Sequence, residues 1–139
     1  MDRGKGEVYT LLSGEKETAD GGRIMTKMHC ITRINIQGAD TTSKVCFGKG
    51  VAQLLKGIQK HHSLNLATKE MGMAYSKAWT ILKSAEEALG IQLLYRMGGN
   101  GSVLTKEGEE LLEVYEEAEK AAQKAAVEVL REHYGKEIF

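Results

Sequence analysis

Between Val51 and Leu89 the apolar residues keep helical spacing in three separate runs, and each run is followed by residues that end helices. Val51, Leu54, Leu55 and Ile58 fall at i, i+3, i+4 and i+7, which predicts an amphipathic helix over roughly 49–61. His61-His62-Ser63 breaks it. Asn65 is expected to cap a short helix over roughly 66–71, with Ala67 and Met71 four apart on its inner face. Gly72 ends that helix. Ala78, Ile81, Leu82, Ala85 and Leu89 then form one stripe on a third helix, roughly 75–89, which stops at Gly90. No proline occurs in the 139 residues, so each helix can run uninterrupted.

The flanks read differently. Residues 1–27 are rich in Gly, Lys, Glu and Asp without a period, and read as a flexible N-terminal tail. An alternative is natural translation from Met25 or Met28, because Gly21-Gly22-Arg23 can be encoded by purine-rich codons; the intact mass of the native protein separates the two. His29–Ile36 alternate, with Cys30, Thr32, Ile34 and Ile36 on one face, which is strand period. A turn over Gly38–Thr42 and a second strand over Lys44–Phe47 complete an N-terminal hairpin. Two further strands, Gln92–Arg96 and Ser102–Leu104, flank Met97-Gly98-Gly99-Asn100-Gly101, where Asn-Gly tolerates positive φ. Thr105 is expected to cap a long helix with Glu107, Glu109 and Glu110 in its first turns, running to about Tyr134.

Composition narrows the function. Apolar residues make up 42% and charged residues 27%, as in ordinary globular proteins. No apolar run is long enough for a membrane span, no secretory leader is evident, and two cysteines are too few for a disulfide framework. The expectation is a cytoplasmic protein. The formal net charge is zero, yet it is unevenly placed. Residues 44–106 carry nine basic and three acidic side chains, a net of +6, whereas residues 107–139 carry four basic and ten acidic, a net of −6. A cationic central block suits a polyanion contact, with the acidic block turned away from it.

The order of elements is helix, short helix, tight turn, helix, glycine-tipped hairpin, long helix. That is the order of a winged helix-turn-helix, in a fold that is mainly α with a small β component. The short helix and turn would prop the third helix so that its outer face enters the major groove of double-stranded DNA. Opposite Ala78 at 100° per residue lie Ser76, Thr80, Lys83 and Glu87, flanked by Lys77 and Ser84. Short hydroxyl side chains permit close approach to base edges, and lysines reach guanine or phosphate. The wing would supply Arg96, Asn100 and Ser102, with Gly98, Gly99 and Gly101 leaving backbone N–H groups uncovered.

Three segments carry a family resemblance: FGKGVAQLLKGI, LATKEMGMAYSKAWTILKSAEEALG and LLYRMGGNGSVLTKEGEELL. Residues 47–106 resemble the N-terminal domain of the molybdate-responsive transcriptional regulators of ModE type, relatives of the LysR-type winged-helix domain found in bacteria and archaea. The resemblance implies that Tyr75, Ser76, Lys77 and Thr80 begin the recognition helix, that Arg96 to Ser102 form the wing, and that Trp79 is a core residue joining the two. Two departures stand out. Ala74 replaces a serine usual in the family, and the wing is shorter. The family's regulators continue into small β-barrels that hold molybdate. Here a single helical pattern follows Thr105, so neither molybdate nor any other cofactor is carried over, and the effector is left open.

The long helix has its own pattern. Leu111, Tyr115, Ala118, Ala122, Ala125 and Val129 are spaced 4, 3, 4, 3, 4, a heptad seam expected to join a homodimer. The expected organisation is therefore a tail over 1–27, a winged helix-turn-helix DNA-binding domain over 28–106, and a dimerisation helix with its tail over 107–139. His29, Cys30, Cys46, His61 and His62 lack the paired spacing of zinc sites, so no metal is expected. A reversible redox pairing of Cys30 with Cys46 stays open. No nucleotide loop, nucleophile motif or acid–base carboxylate pair occurs, which argues against an enzyme. The leading expectation is a sequence-specific dimeric transcriptional regulator. The alternative is a winged-helix module that binds protein and not DNA.

Overall fold

A computed structural model describes residues 8–10, 16–18, 26–39 and 45–139. The chain divides into two compact units, one of Arg33–Lys120 and one of Met1–Thr32 with Ala121–Phe139. In the second of these, β1 (Val8–Thr10) and β2 (Lys16–Thr18) pair antiparallel, with Tyr9 opposite Glu17. This pair falls within the stretch read as a tail. Reading this stretch as a tail passes over Val8-Tyr9-Thr10, whose β-branched and aromatic side chains favour a strand. The remainder of residues 1–25, Met25 included, lies outside the described residues. Near the chain's end the Met28 N–H donates to the Ile138 carbonyl at 2.7 Å, and Arg131 Nη2 donates to the Phe139 oxygen at 2.8 Å.

The unit Arg33–Lys120 holds β3 (Ile36–Gln37), β4 (Val45–Phe47), α1 (Lys49–His61), α2 (Leu64–Met71), α3 (Tyr75–Leu89), β5 (Leu94–Arg96), β6 (Ser102–Leu104) and the first half of α4 (Lys106–Tyr134). Ile36 pairs with Phe47 and Gln37 with Val45, with a register shift between them. The strand expected from His29 is confined to these two residues. Its alternation has a different cause: the Ile34 N–H reaches Glu119 Oε2 at 3.4 Å and the Ile34 carbonyl accepts from the Tyr115 hydroxyl at 2.8 Å. The extended chain there satisfies its backbone on side chains of α4, not on a strand.

The helices form for the reasons their apolar periods gave. Val51, Leu54, Leu55 and Ile58 of α1 are buried, as are Ala67 of α2 and Ala78, Leu82 and Ala85 of α3. Phe47, Leu93, Leu104, Leu112 and Tyr115 close the core around them. Gly57 lets α1 and α2 cross closely, since a Cβ there would lie 2.6 Å from that of Ala67. α1 ends at His62, left-handed at φ 52°. α2 then starts two residues earlier than expected. Its cap is Ser63, whose Oγ accepts from the Leu66 N–H at 3.2 Å, and Asn65 lies inside the helix. Ser63→Ala is expected to cost about 1 kcal/mol through the lost cap. Thermal unfolding followed by circular dichroism checks this; an unchanged midpoint would mean that the bond contributes nothing.

Thr105 caps α4 as expected. Its buried hydroxyl accepts from the Gly108 N–H at 2.9 Å and donates to the Gln92 carbonyl. Tyr115, expected on a dimer seam, is instead a core residue of its own chain. It is 3% exposed and meets the Phe47 ring edge-on, with centroids 5.1 Å apart. Burial, followed by the hydrogen bond and charge of Glu119, pushes its phenol above the ordinary tyrosine range. Along the rest of the expected seam Leu111 and Ala122 are half-buried, whereas Ala118, Ala125 and Val129 are exposed.

Candidate nucleic-acid interface

α2, the turn at Gly72 and α3 form the helix-turn-helix. Gly72 adopts φ 69°, and its N–H returns to the carbonyls of Thr68 and Lys69. The Met73 N–H also bonds the Thr68 carbonyl, at 2.9 Å. α3 then begins from Ala74, which makes no side-chain cap bond, as its methyl group requires. Every residue expected on the outer face of α3 is exposed: Ser76, Lys77, Thr80, Lys83, Ser84 and Glu87. The face is thus open within the chain. The Thr80 hydroxyl donates to the Ser76 carbonyl at 3.0 Å, which fixes its rotamer and leaves the oxygen free to accept.

The cations divide into two groups. Lys56 lies 3.4 Å from Glu116, and Lys60 lies 3.5 Å from Glu70, so two of the three α1 lysines face a carboxylate. His61 Nε2 is 2.6 Å from the other Glu70 oxygen, and that hydrogen bond, with the Lys60 charge next, holds the Glu70 carboxyl below the ordinary carboxylate range. Among the described residues no ion pair engages Lys77 or Lys83 of α3. Lys77 and Lys83 therefore leave unpaired positive charge on the exposed face of α3, as Lys49 and Lys69 do on α1 and α2.

β5 and β6 form the wing, with Arg96 opposite Ser102 and Leu94 opposite Leu104. Its tip is a single 3-10 turn over Gly98–Asn100. The positive-φ positions of the wing are Gly98 at 60° and Gly101 at 156°, so of the expected Asn-Gly pair the glycine alone takes this conformation. Ser102, expected on the contact surface, is 6% exposed. Strand alternation turns it inward, and its N–H donates to the His62 carbonyl at 2.9 Å. Gly101 is held against the same carbonyl, because a Cβ there would lie 2.5 Å from it. The wing base is thereby joined to the turn between α1 and α2. Gly98 and Gly99 are exposed, and the side chain of Asn100 lies outside the described residues.

Arg96 turns back onto α3. Its Nη2 donates to the Tyr75 hydroxyl oxygen at 2.7 Å, and its Cζ stands 4.4 Å from the centroid of the Trp79 ring. Trp79 Nε1 donates to the same Tyr75 oxygen at 3.0 Å. Trp79 therefore joins helix to wing, but it is half-buried at the edge of the core and not inside it as the resemblance implied. The Tyr75–Trp79 pair is signalled in sequence by its spacing of four, whereas the Arg96 partner, 21 residues on, carries no local signal. A shallow cleft opens between the start of α2, the start of α3 and the wing, and brings in Ser63 and Asn65, which sequence reasoning did not place there. Among the described residues no group of His, Cys, Asp or Glu is arranged to hold a metal ion, and no helix is long and apolar enough to cross a membrane.

Residues 52–109 match the model of a family described as bacterial regulatory helix-turn-helix protein, lysR family. Among solved structures the chain resembles a probable transcriptional regulator from Pseudomonas aeruginosa, with 24% identity and a TM-score of 0.41. That match covers 59% of this chain and 26% of the other, so the chain spans about a quarter of the length of that protein. No curated protein matches. The fold is mainly helical, with a helix-turn-helix domain, a small hairpin wing and a long C-terminal helix.

Proposed function

We propose that the chain is a sequence-specific transcriptional regulator that binds double-stranded DNA as a homodimer. α3 enters the major groove, and the glycine-tipped wing lies along the backbone or the minor groove. The observation that carries this reading is the outer face of α3, open and bearing Ser76, Lys77, Thr80, Lys83 and Ser84, with its lysines free of carboxylates among the described residues. The family match over residues 52–109 supports it. Exposure of Ala118, Ala125 and Val129 on α4 supports self-association through the remaining seam. The finer resemblance to molybdate-responsive regulators bears on this DNA-reading part only, and the proposal includes no oxyanion effector.

Anisotropy or gel-shift titration of duplex DNA across salt concentrations tests the reading. Affinity should fall steeply with salt. Lys83→Ala should weaken binding to all sequences and reduce the salt slope by about one. Ser76→Ala or Thr80→Ala should alter preference at one base position by about 1–3 kcal/mol. Equal, sequence-blind losses from all three would remove the assigned roles. Absence of salt-dependent binding would favour the protein-binding alternative, and a monomer mass by light scattering at micromolar concentration would remove the dimer.

A further inference from the structure

We infer that the Tyr75 hydroxyl is a directed hydrogen-bond donor to a phosphodiester oxygen seated in the cleft between α3 and the wing, and that Arg96 is a positioning residue for that hydroxyl, not an independent ion-pair partner of the DNA. The inference rests on the DNA-binding reading above and assigns the chemistry of one part of that surface.

The argument starts from a count of donors and acceptors. The Tyr75 oxygen accepts from Trp79 Nε1–H at 3.0 Å and from Arg96 Nη2–H at 2.7 Å. An indole N–H and a guanidinium can only donate. Neither can take the phenolic proton, and among the described residues no other acceptor receives it. With both lone pairs engaged, the hydroxyl is left as a donor. Tyr75 is 41% exposed, so water takes that proton in the free protein.

The surroundings select what replaces the water. The cleft, about 390 Å³ in volume, is lined in part by Ser63, Asn65, Tyr75, Arg96, Gly98 and Gly99. One guanidinium and several neutral polar groups face it, and none of its lining residues is a carboxylate. With one positive charge and no negative one, that lining favours an anion over a cation. A Cβ at Gly98 or Gly99 would meet nothing within 4 Å, so this stretch of wing backbone is open to close approach. A backbone phosphate of a duplex lying along α3 has the required charge and acceptor oxygens, and it arrives at the cleft as the wing meets the strand.

Arg96 differs from the lysines of α3. One face of its guanidinium is stacked on Trp79, and one amino group is spent on Tyr75. A planar fork held this way loses little freedom on binding and aims the phenol. A lysine at this position would keep the charge and lose both the stack and the geometry.

The test is anisotropy of a fluorescein-labelled duplex of mixed sequence, titrated with the full chain across salt concentrations. Y75F should bind about tenfold more weakly, the scale of one hydrogen bond to a charged acceptor. Its salt slope should match the parent, because a phenol displaces no counterion. R96K should lose about as much as Y75F, and Y75F with R96K together should lose little more, because the two act as one unit. Trp79 is the only tryptophan, so its emission in the free protein should change in R96K as the guanidinium leaves the ring. Parental affinity in Y75F overturns the donor role. Parental affinity or unchanged emission in R96K overturns the positioning role. Inorganic phosphate should not alter Trp79 emission; a response lost in Y75F would assign the cleft to a free anion and overturn the phosphodiester. A parent chain that binds no duplex at low salt overturns both this inference and the function on which it rests. Duplex binding by the parent with Y75F unaffected overturns the inference alone.

Discussion

Phe47→Ala is expected to destabilise the unit Arg33–Lys120 by about 3–6 kcal/mol. The ring is fully buried at the end of β4, pairs with Ile36 across the short ladder, and meets the Tyr115 ring of α4 at 5.1 Å. Truncating a buried phenylalanine costs about 3–5 kcal/mol through lost transfer energy and the cavity left behind. The aromatic pair adds about 0.5–1.5 kcal/mol to that loss. A domain of this size holds only about 5–15 kcal/mol in total, so the deficit is a large share of the margin. Tyr115 loses its packing partner at the same time, and its hydroxyl is the group that fixes the Ile34 carbonyl. Urea unfolding followed both by circular dichroism and by Trp79 emission measures the effect. A midpoint equal to the parent's would mean that β4 and α4 are not held together through this ring.

Gly101→Ala is expected to cost about 1–3 kcal/mol and to weaken duplex binding while α3 stays folded. The new Cβ would lie 2.5 Å from the His62 carbonyl oxygen, which is backbone and cannot swing aside. The residue also sits at φ 156°, where a side chain is strained. Relief requires the wing base to move off the α1–α2 turn, which breaks the Ser102 N–H bond to the same carbonyl. Gly99→Ala is the control for stability. It is the neighbouring wing glycine, its Cβ would meet nothing within 4 Å, and its φ lies outside the left-handed range. Duplex titration of Gly101→Ala measures the binding loss, and thermal unfolding of both variants should separate them clearly. Equal behaviour would show that the contact with His62 does not hold the wing.

The helices were legible because their signals are local. α1 and α3 have the bounds that apolar spacing and the terminators at His61-His62 and Gly90 predict. The cap of α2 was misplaced because Ser63 reads equally as part of the break and as the start of the next helix, and only its bond to Leu66 decides. Tyr115 shows a limit of periodicity: a stripe at heptad spacing looks the same whether its own core or a second copy covers it. The outer face of α3 could be read from geometry alone, since one buried stripe fixes the opposite side of a helix. The joining of Arg96 to Tyr75 and Trp79 could not, because it depends on the path of the wing. For the same reason sequence placed Ser102 outside, where the register of β6 puts it inside.

The bond from Ser102 to the His62 carbonyl uses a main-chain atom of a residue whose imidazole is exposed. Alanine scanning deletes side chains and leaves every peptide group in place, so it will pass over this joint and score His62 as dispensable. Substituting an ester for the peptide linkage at Ser102 would remove the donor itself. The imidazole is accordingly replaceable, provided the new side chain tolerates the left-handed bend at φ 52° that aims the oxygen.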